Sequence, residues 1–247
     1  MPSDSLKRRV QNGLQLGALI GVSWLVTLVI GLQFDPNQLH PVVIAGWILF
    51  RSFLHTGLFI IAHDAMHNSL VPGRGVINRR VGQLCLWLYA GLNYNVCKSN
   101  HHRHHLMPES EADPDFCPAN NRSLLAWLVR FMRNYVNPAQ LGRLSIVLVA
   151  LWLVSSTKQS QPYVPICVTY LIPLLISTGQ LFFVGTYLPH RKDEQQKGNE
   201  VSIKSLNLHP LVSLLACYHF GYHREHHNNP EAPWFLLPEL RTGRLVH

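Results

Sequence analysis

The chain has 247 residues, of which 47% are hydrophobic and only 14% charged, against about 25% charged residues in an ordinary soluble domain. Twenty-one Lys and Arg stand against 13 Asp and Glu. With no RNA-binding signature and no interleaved aromatic and basic patch, that balance points to an anionic membrane surface and away from nucleic acid.

A polar, basic start, MPSDSLKRRVQNG, leads into a charge-free run of 21 residues from Leu14 to Phe34. About 20 apolar residues span a bilayer. The run exceeds a usual signal-peptide core and no small-residue cleavage site follows, so it reads as a membrane span. A second run, Pro41 to Ala62, is long enough to span but contains Arg51 and His55 and ends at HDAMH. A charge inside a span serves function, pairs within the bundle or snorkels to the surface; His55 reads as a packed or hydrogen-bonded helix residue, with a place facing the substrate as the alternative. Val81 to Leu92 is apolar but only 12 residues long, which predicts a re-entrant or interfacial segment. Ser123 to Tyr135 sets Leu124, Trp127, Leu128 and Phe131 at helical spacing among Arg122, Arg130 and Arg133, the pattern of an amphipathic helix on a membrane surface. An uncharged run from Leu144 to Thr157 and a 27-residue run from Tyr163 to Pro189, joined by STKQSQP, form a helical hairpin with a kink expected at Pro173. A shorter apolar segment, Leu206 to Phe220, runs straight into further histidines.

The expected fold is an all-α integral membrane protein, a single domain over residues 1–247. It has four transmembrane helices near 14–34, 41–62, 141–157 and 163–189, plus short re-entrant or interfacial helices. Lys and Arg concentrate at the N-terminus, in 74–143 and after His190, while the turns after the first and third spans hold only Lys158. The positive-inside rule then places both termini, and every dense histidine cluster, on the cytoplasmic face.

The histidines are the chemical signal. His63 and His67 are spaced H-x-x-x-H. His101, His104 and His105 are spaced H-x-x-H-H, as are His223, His226 and His227 in HREHH. His190 stands alone in GTYLPH. Residues at i, i+3 and i+4 share a helix face, so each H-x-x-H-H aims three imidazoles at one spot. Nine ligands are too many for one mononuclear site of three or four protein ligands and suit two metals with room for a small ligand. Imidazole suits Zn, Cu, Fe and Ni; an all-nitrogen, two-metal centre opening on a membrane favours iron handling dioxygen over hydrolytic zinc. A zincin reads H-E-x-x-H. Asp64 replaces that Glu, and a zincin would leave both H-x-x-H-H clusters unexplained. A metal transporter would place its ligands at the membrane midplane, whereas these sit at span ends.

Ligating histidines usually donate their other N–H to a carboxylate or carbonyl group. In PESEADPD, Glu109, Glu111, Asp113 and Asp115 follow the second cluster. Asp64, Asp113, Asp115 and Glu225 are candidates for that orienting role; His102 and His219, beside ligand candidates, read as further hydrogen-bond partners, with a tenth ligand as the alternative. His40, His209 and His247 read as interfacial or exposed. Five scattered cysteines, none spaced C-x-x-C, argue against a disulfide framework and read as small buried hydrophobes.

These histidine boxes resemble the membrane fatty acid desaturase and hydroxylase superfamily. The longer strings TGLFIIAHDAMHN, HHRHHLMPESEADPDF, FFVGTYLPHR and CYHFGYHREHHNNPEAPWFLLPE resemble bacterial and cyanobacterial β-carotene ketolases from about Leu54 to Glu239. One departure shows: ESEA stands at Glu109 to Ala112, where Gly-Thr often occurs in that family. The resemblance implies a cytoplasmic di-iron cap held by His63, His67, His101, His104, His105, His190, His223, His226 and His227, with O2 as co-substrate. It implies oxygenation of the 4-position of a β-ionone ring, by two hydroxylations at one carbon and loss of water, giving echinenone and canthaxanthin, or astaxanthin from hydroxylated substrate. A carotenoid 3-hydroxylase and a membrane lipid desaturase share similar boxes and are the alternatives. No flavin or nicotinamide fingerprint occurs, so electrons come from outside. The resemblance suggests reduced ferredoxin, for which Arg130 and Arg133 offer a basic docking face.

Overall fold

A computed structural model describes residues 4–117, 123–158, 160–191 and 203–244. His247 and Arg122 lie outside the described residues. The described residues are helical, without strands. They group into two compact units, Met1–Asn93 with Pro138–Gly179, and Tyr94–Asn137 with Gln180–His247.

The first unit contains α1 (Asp4–Gln33), α2 (Pro41–Met66), α3 (Gly75–Ala90), α6 (Pro138–Ser156) and the first part of α7 (Tyr163–His190). Four of these helices are long and apolar enough to cross a membrane: Val10–Gln33, Pro41–Met66, Pro138–Ser156 and Tyr163–His190. They match the four expected spans, the first three reaching a few residues further at one end. Their surfaces carry the membrane pattern. Leu19, Val22, Leu25, Val149, Trp152 and Leu153 are exposed, while Arg51, Ser52, His55, Thr56, Thr169 and Ser177 are buried. Chains that fold in water reverse that distribution; in lipid, polar side chains bond between helices.

Arg51 pairs inside the bundle. Its Nε donates to the Thr169 carbonyl at 3.0 Å and its NH1 to the Trp24 carbonyl and Thr27 Oγ1, both at 2.6 Å. Its guanidinium lies 5.2 Å from the Trp24 ring centre. Thr169 offers its carbonyl because the residue four positions on is Pro173, which has no N–H to donate. The helix accommodates that proline through a π turn at Cys167–Leu171, closed by the Ile172 N–H on the Cys167 carbonyl. A second π turn, Phe183–Tyr187, precedes Pro189 in the same way, closed by Leu188 on Phe183. His55 is a hydrogen-bonded helix residue, as its setting in the second span predicted. Nε2–H donates to the Tyr89 carbonyl at 2.9 Å, and Nδ1 accepts from Trp24 Nε1 at 3.1 Å.

α3 begins at Gly75, six residues before the apolar stretch. It ends on Gly91 at φ 67°, whose N–H returns to Leu86 and Trp87. A side chain there would meet the Leu144 backbone nitrogen at 2.7 Å, so glycine is required on both counts. The last carbonyls of a helix have no partner within it. Here Tyr170 Oη donates to those of Leu88 and Tyr89, Gln140 to Ala90 and Arg143 to Gly91. His40 and His209 have a common task. Each precedes a proline at the start of a helix, and each Nδ1 accepts from the N–H two residues on.

The second unit holds α4 (Tyr94–Leu106), α5 (Leu124–Arg133), the rest of α7, α8 (Pro210–Cys217), α9 (His223–Asn228) and α10 (Leu237–Arg241). Its apolar core joins Phe116, Cys117, Trp127 and Phe182, with Leu128, Phe131 and Tyr187 packed against them. α5 therefore buries one face of its amphipathic pattern, with Trp127 1% exposed, and leaves Leu125 and Val129 outward. Four of its side chains or flanking residues hold the loop before it. Trp127 Nε1 donates to the Asp115 carbonyl, Arg130 Nε to that of Phe116, Asn134 to that of Pro114, and Tyr135 Oη to Asp115 Oδ1.

Candidate metal centre

Seven of the nine predicted ligands belong to the second unit, and their ring nitrogens gather in two sets. α4 presents His104 on one side of its H-x-x-H-H turn and His101 with His105 on the other. α9 divides its three histidines likewise. One set is His104, His190, His223 and His227, whose ligand atoms lie within 4.8 Å of one another. Its Nε2 atoms stand in sequence: His104 to His227 at 3.1 Å, His227 to His223 at 3.1 Å, and His223 to His190 at 2.9 Å. The other set brings His105 Nε2 within 3.1 Å of His101 Nε2 and 2.9 Å of His226 Nε2. His105 and His227 stack at 4.1 Å between ring centres, so the two sets share a wall. In the first unit, His63 and His67 form a pair at the end of α2 with ring centres 5.0 Å apart.

Facing nitrogen lone pairs repel, and one proton can join only one pair of them. A cation between them resolves the whole set. The 2.9–3.1 Å spacings bring these nitrogens close enough for one ion to be held by several of them at ordinary ligand distances of about 2.1 Å. All donors are imidazole, which iron accepts.

Hydrogen bonding explains why His104 offers Nε2. Its Nδ1–H donates to both Asp113 oxygens, at 2.9 and 3.0 Å. Asp113 is fully buried and also accepts from the N–H groups of Glu109 and Asp115. Although burial works against its protonation, the hydrogen bond to Asp113 and the charges of Asp115, Asp113 and Glu109 hold His104 above the ordinary histidine pKa. His223 lies well below it, through burial and then the neighbouring His227, His190, His104 and His105. Its ring is neutral, with a lone pair free to ligate.

The other orienting candidates go to different places. Asp115 faces Tyr135 at 2.6 Å, and burial raises its pKa. Asp64 is buried with Oδ1 3.6 Å from His63 Nδ1; its carbonyl accepts from Ser69 and Leu70. His219 stacks between Tyr222 and Trp234, with its pKa lowered by burial to about 4. Glu225 accepts from Ser205 and from Arg241, the latter at 3.1 Å. Sequence reasoning passed over the grip of α5 on the Asp113–Phe116 loop. Its signal was Trp127, Arg130, Asn134 and Tyr135 recurring at helical intervals just after the acidic stretch.

Comparison with known proteins bears on this centre. The model of the fatty acid desaturase family matches residues 38–244. A β-carotene ketolase of Paracoccus sp. (strain N81106 / MBIC 01143) is 37% identical over 221 residues, 89% of this chain and 88% of that one. A β-carotene ketolase of Paracoccus sp. (strain PC1) is 35% identical over 232 residues, 93% of each. A zeaxanthin 4-ketolase of Chlamydomonas reinhardtii is 34% identical over 222 residues, 88% of this chain but 48% of its own length. No solved structure matches.

Proposed function

The chain belongs to the fatty acid desaturase family, and from that premise we propose that it is a β-carotene ketolase, a membrane oxygenase that converts the 4-position of β-ionone rings to a ketone. The observation that supports this reading most is the gathering of ring nitrogens at 2.9–3.1 Å in two sets, in a chain whose Paracoccus relatives bear the ketolase name over most of both lengths. In this reading His104, His190, His223 and His227 hold one iron. His101, His105 and His226 hold the other; His63 and His67 are the remaining ligands that the family resemblance implies.

Bound there, the iron pair supplies activation of dioxygen for two hydroxylations of one ring carbon, after which the geminal diol loses water. The chain's own contribution is to turn imidazole lone pairs inward. Asp113 does so for His104 by accepting its Nδ1–H, which leaves Nε2 facing the set, and burial keeps His223 neutral. The apolar outer faces of the spans suit a substrate that dissolves in the bilayer, such as β-carotene. The distribution of Lys and Arg supports a cytoplasmic side for the centre and both termini. Electrons arrive from a ferredoxin-like donor. Because Arg130 already holds the Phe116 carbonyl at 2.9 Å, Arg133 is the better probe of a docking face. The zeaxanthin 4-ketolase relative supports a second substrate, a ring already hydroxylated at the 3-position, with astaxanthin as the product.

The test is expression in a bacterial host that accumulates β-carotene, with iron and air, followed by chromatography and mass analysis of the pigments. Each ketolated ring gains one oxygen and loses two hydrogens, so echinenone and canthaxanthin are expected. Oxygen gain without hydrogen loss would make the protein a carotenoid hydroxylase. Unchanged β-carotene beside iron-loaded protein and a competent donor would favour a lipid desaturase.

A further inference from the structure

We infer that Glu109 is a positioning residue for His190, accepting its Nδ1–H and thereby setting the electron richness of the metal held by the four-histidine set. The inference rests on the proposed function, since it requires iron at that set.

Four observations lead to it. First, His190 directs Nε2 into the set, 2.9 Å from His223 Nε2. When Nε2 ligates, the ring's proton resides on Nδ1. Second, that Nδ1 is buried without a hydrogen-bond partner, a costly position for a donor. Glu109 Oε1 lies 3.6 Å away, just beyond hydrogen-bonding reach, and both side chains are nearly inaccessible, 1% and 2% exposed. A small side-chain adjustment closes the gap. Third, Glu109 has φ 58°, the left-handed region that a non-glycine residue enters at a conformational cost and that often marks function. A turn with no further duty would use glycine there. Fourth, the Glu109 N–H donates to Asp113 Oδ2 at 2.9 Å, and Asp113 orients His104. One loop thus delivers two carboxylates, each behind a different histidine of the same set. A buried divalent ion among neutral imidazoles carries its full charge in a low dielectric, and two carboxylates one ring away offset it.

Two substitutions in the full-length protein test this, each read by iron content, by Mössbauer spectroscopy of isotopically enriched iron, and by reduction potential. Glu109→Gln keeps an acceptor of the same shape but removes the charge. It is expected to retain iron, raise the potential and change the spectrum of one iron only. Glu109→Gly relieves the backbone conformation. It is expected to leave the metal-free protein as heat-stable as the parent or more so, yet weaken iron binding by about 10–100-fold. A merely structural Glu109 would give the reverse pattern, with stability altered and iron unaffected. Iron-loaded parent protein beside a Glu109→Gln variant of identical potential and spectrum overturns this inference alone. Parent protein that takes up no iron under any condition overturns the proposed function and this inference with it.

Discussion

Arg51 shows how a charge survives in an apolar span. The residue is fully buried, and its three hydrogen bonds go to three separate acceptors on two helices. Only a planar, forked donor reaches them all; an ammonium is a single point with shorter reach. Arg51→Lys is therefore expected to lower stability by about 1–3 kcal/mol, read as an earlier melt in detergent, while leaving iron content unchanged. A variant that melts with the parent would mean that these bonds add nothing. The sequence marked Arg51 as unusual but left its role open, because Trp24, Thr27 and Thr169 are distant in the chain. The histidines were legible for the opposite reason. H-x-x-H-H is a local pattern, and helical geometry alone converts it into a shared face. The partition of each box between two sets was not legible, since it depends on how α4 and α9 pack. The pairing of Asp113 with His104 was within reach of the sequence, being local. That of Glu109 with His190 joins segments far apart in the chain.

At the scale of elements, α5 is the least expected piece. Its pattern of apolar and basic residues reads as a membrane-surface helix, and its outward Leu125 and Val129 keep that reading open. What the pattern does not reveal is that the inner face clamps the loop carrying Asp113. Tyr135 is the clearest handle. It donates to a buried carboxylate, and its phenol is itself held well above the ordinary pKa by burial and by Asp115. Tyr135→Phe removes that donor, with an expected cost of about 1–3 kcal/mol. The sign with pH follows from Asp115, whose folded pKa is raised. A carboxyl of that kind favours the folded state when protonated, and the advantage is lost as pH rises through its folded pKa. Loss of the Tyr135 donor raises that pKa further. The deficit of Tyr135→Phe is therefore largest above the folded pKa of Asp115 and shrinks as the pH falls through the range where Asp115 takes up its proton in parent and variant alike. Thermal melts across that range check it; a pH-independent deficit would assign the loss to packing. The π turns before Pro173 and Pro189 carry a related lesson. A proline in a long apolar run signals a disturbance, but only the structure shows that the helix widens and hands a carbonyl to Arg51.

For the whole molecule, the decisive contrast is between two kinds of interior. The first unit is held by apolar packing and by hydrogen bonds that close on themselves, as at Arg51, His55 and the end of α3. The second unit gathers seven imidazoles on the short helix α9, the end of α7 and α4, three elements whose nitrogens repel unless a cation joins them. Metal binding to such a set is also folding energy. Iron at about a thousand times its Kd stabilises by about 4 kcal/mol, or roughly 10 °C in Tm for a chain of this size. Chelation is therefore expected to lower Tm by that order and to do so unevenly. Amide exchange is expected to rise over Tyr94–Leu106 and His223–Asn228, which carry six of the proposed ligands. The middle of α2, where Leu58, Ile60 and Ile61 are buried, should stay protected. Hydrogen exchange on iron-loaded and chelated protein in the same detergent measures this directly. Equal loosening of both units would show that the metal holds the whole fold together. Unchanged exchange over α4 and α9 would show that these histidines stay assembled without it, in which case their convergence is built by packing and the ion is a guest.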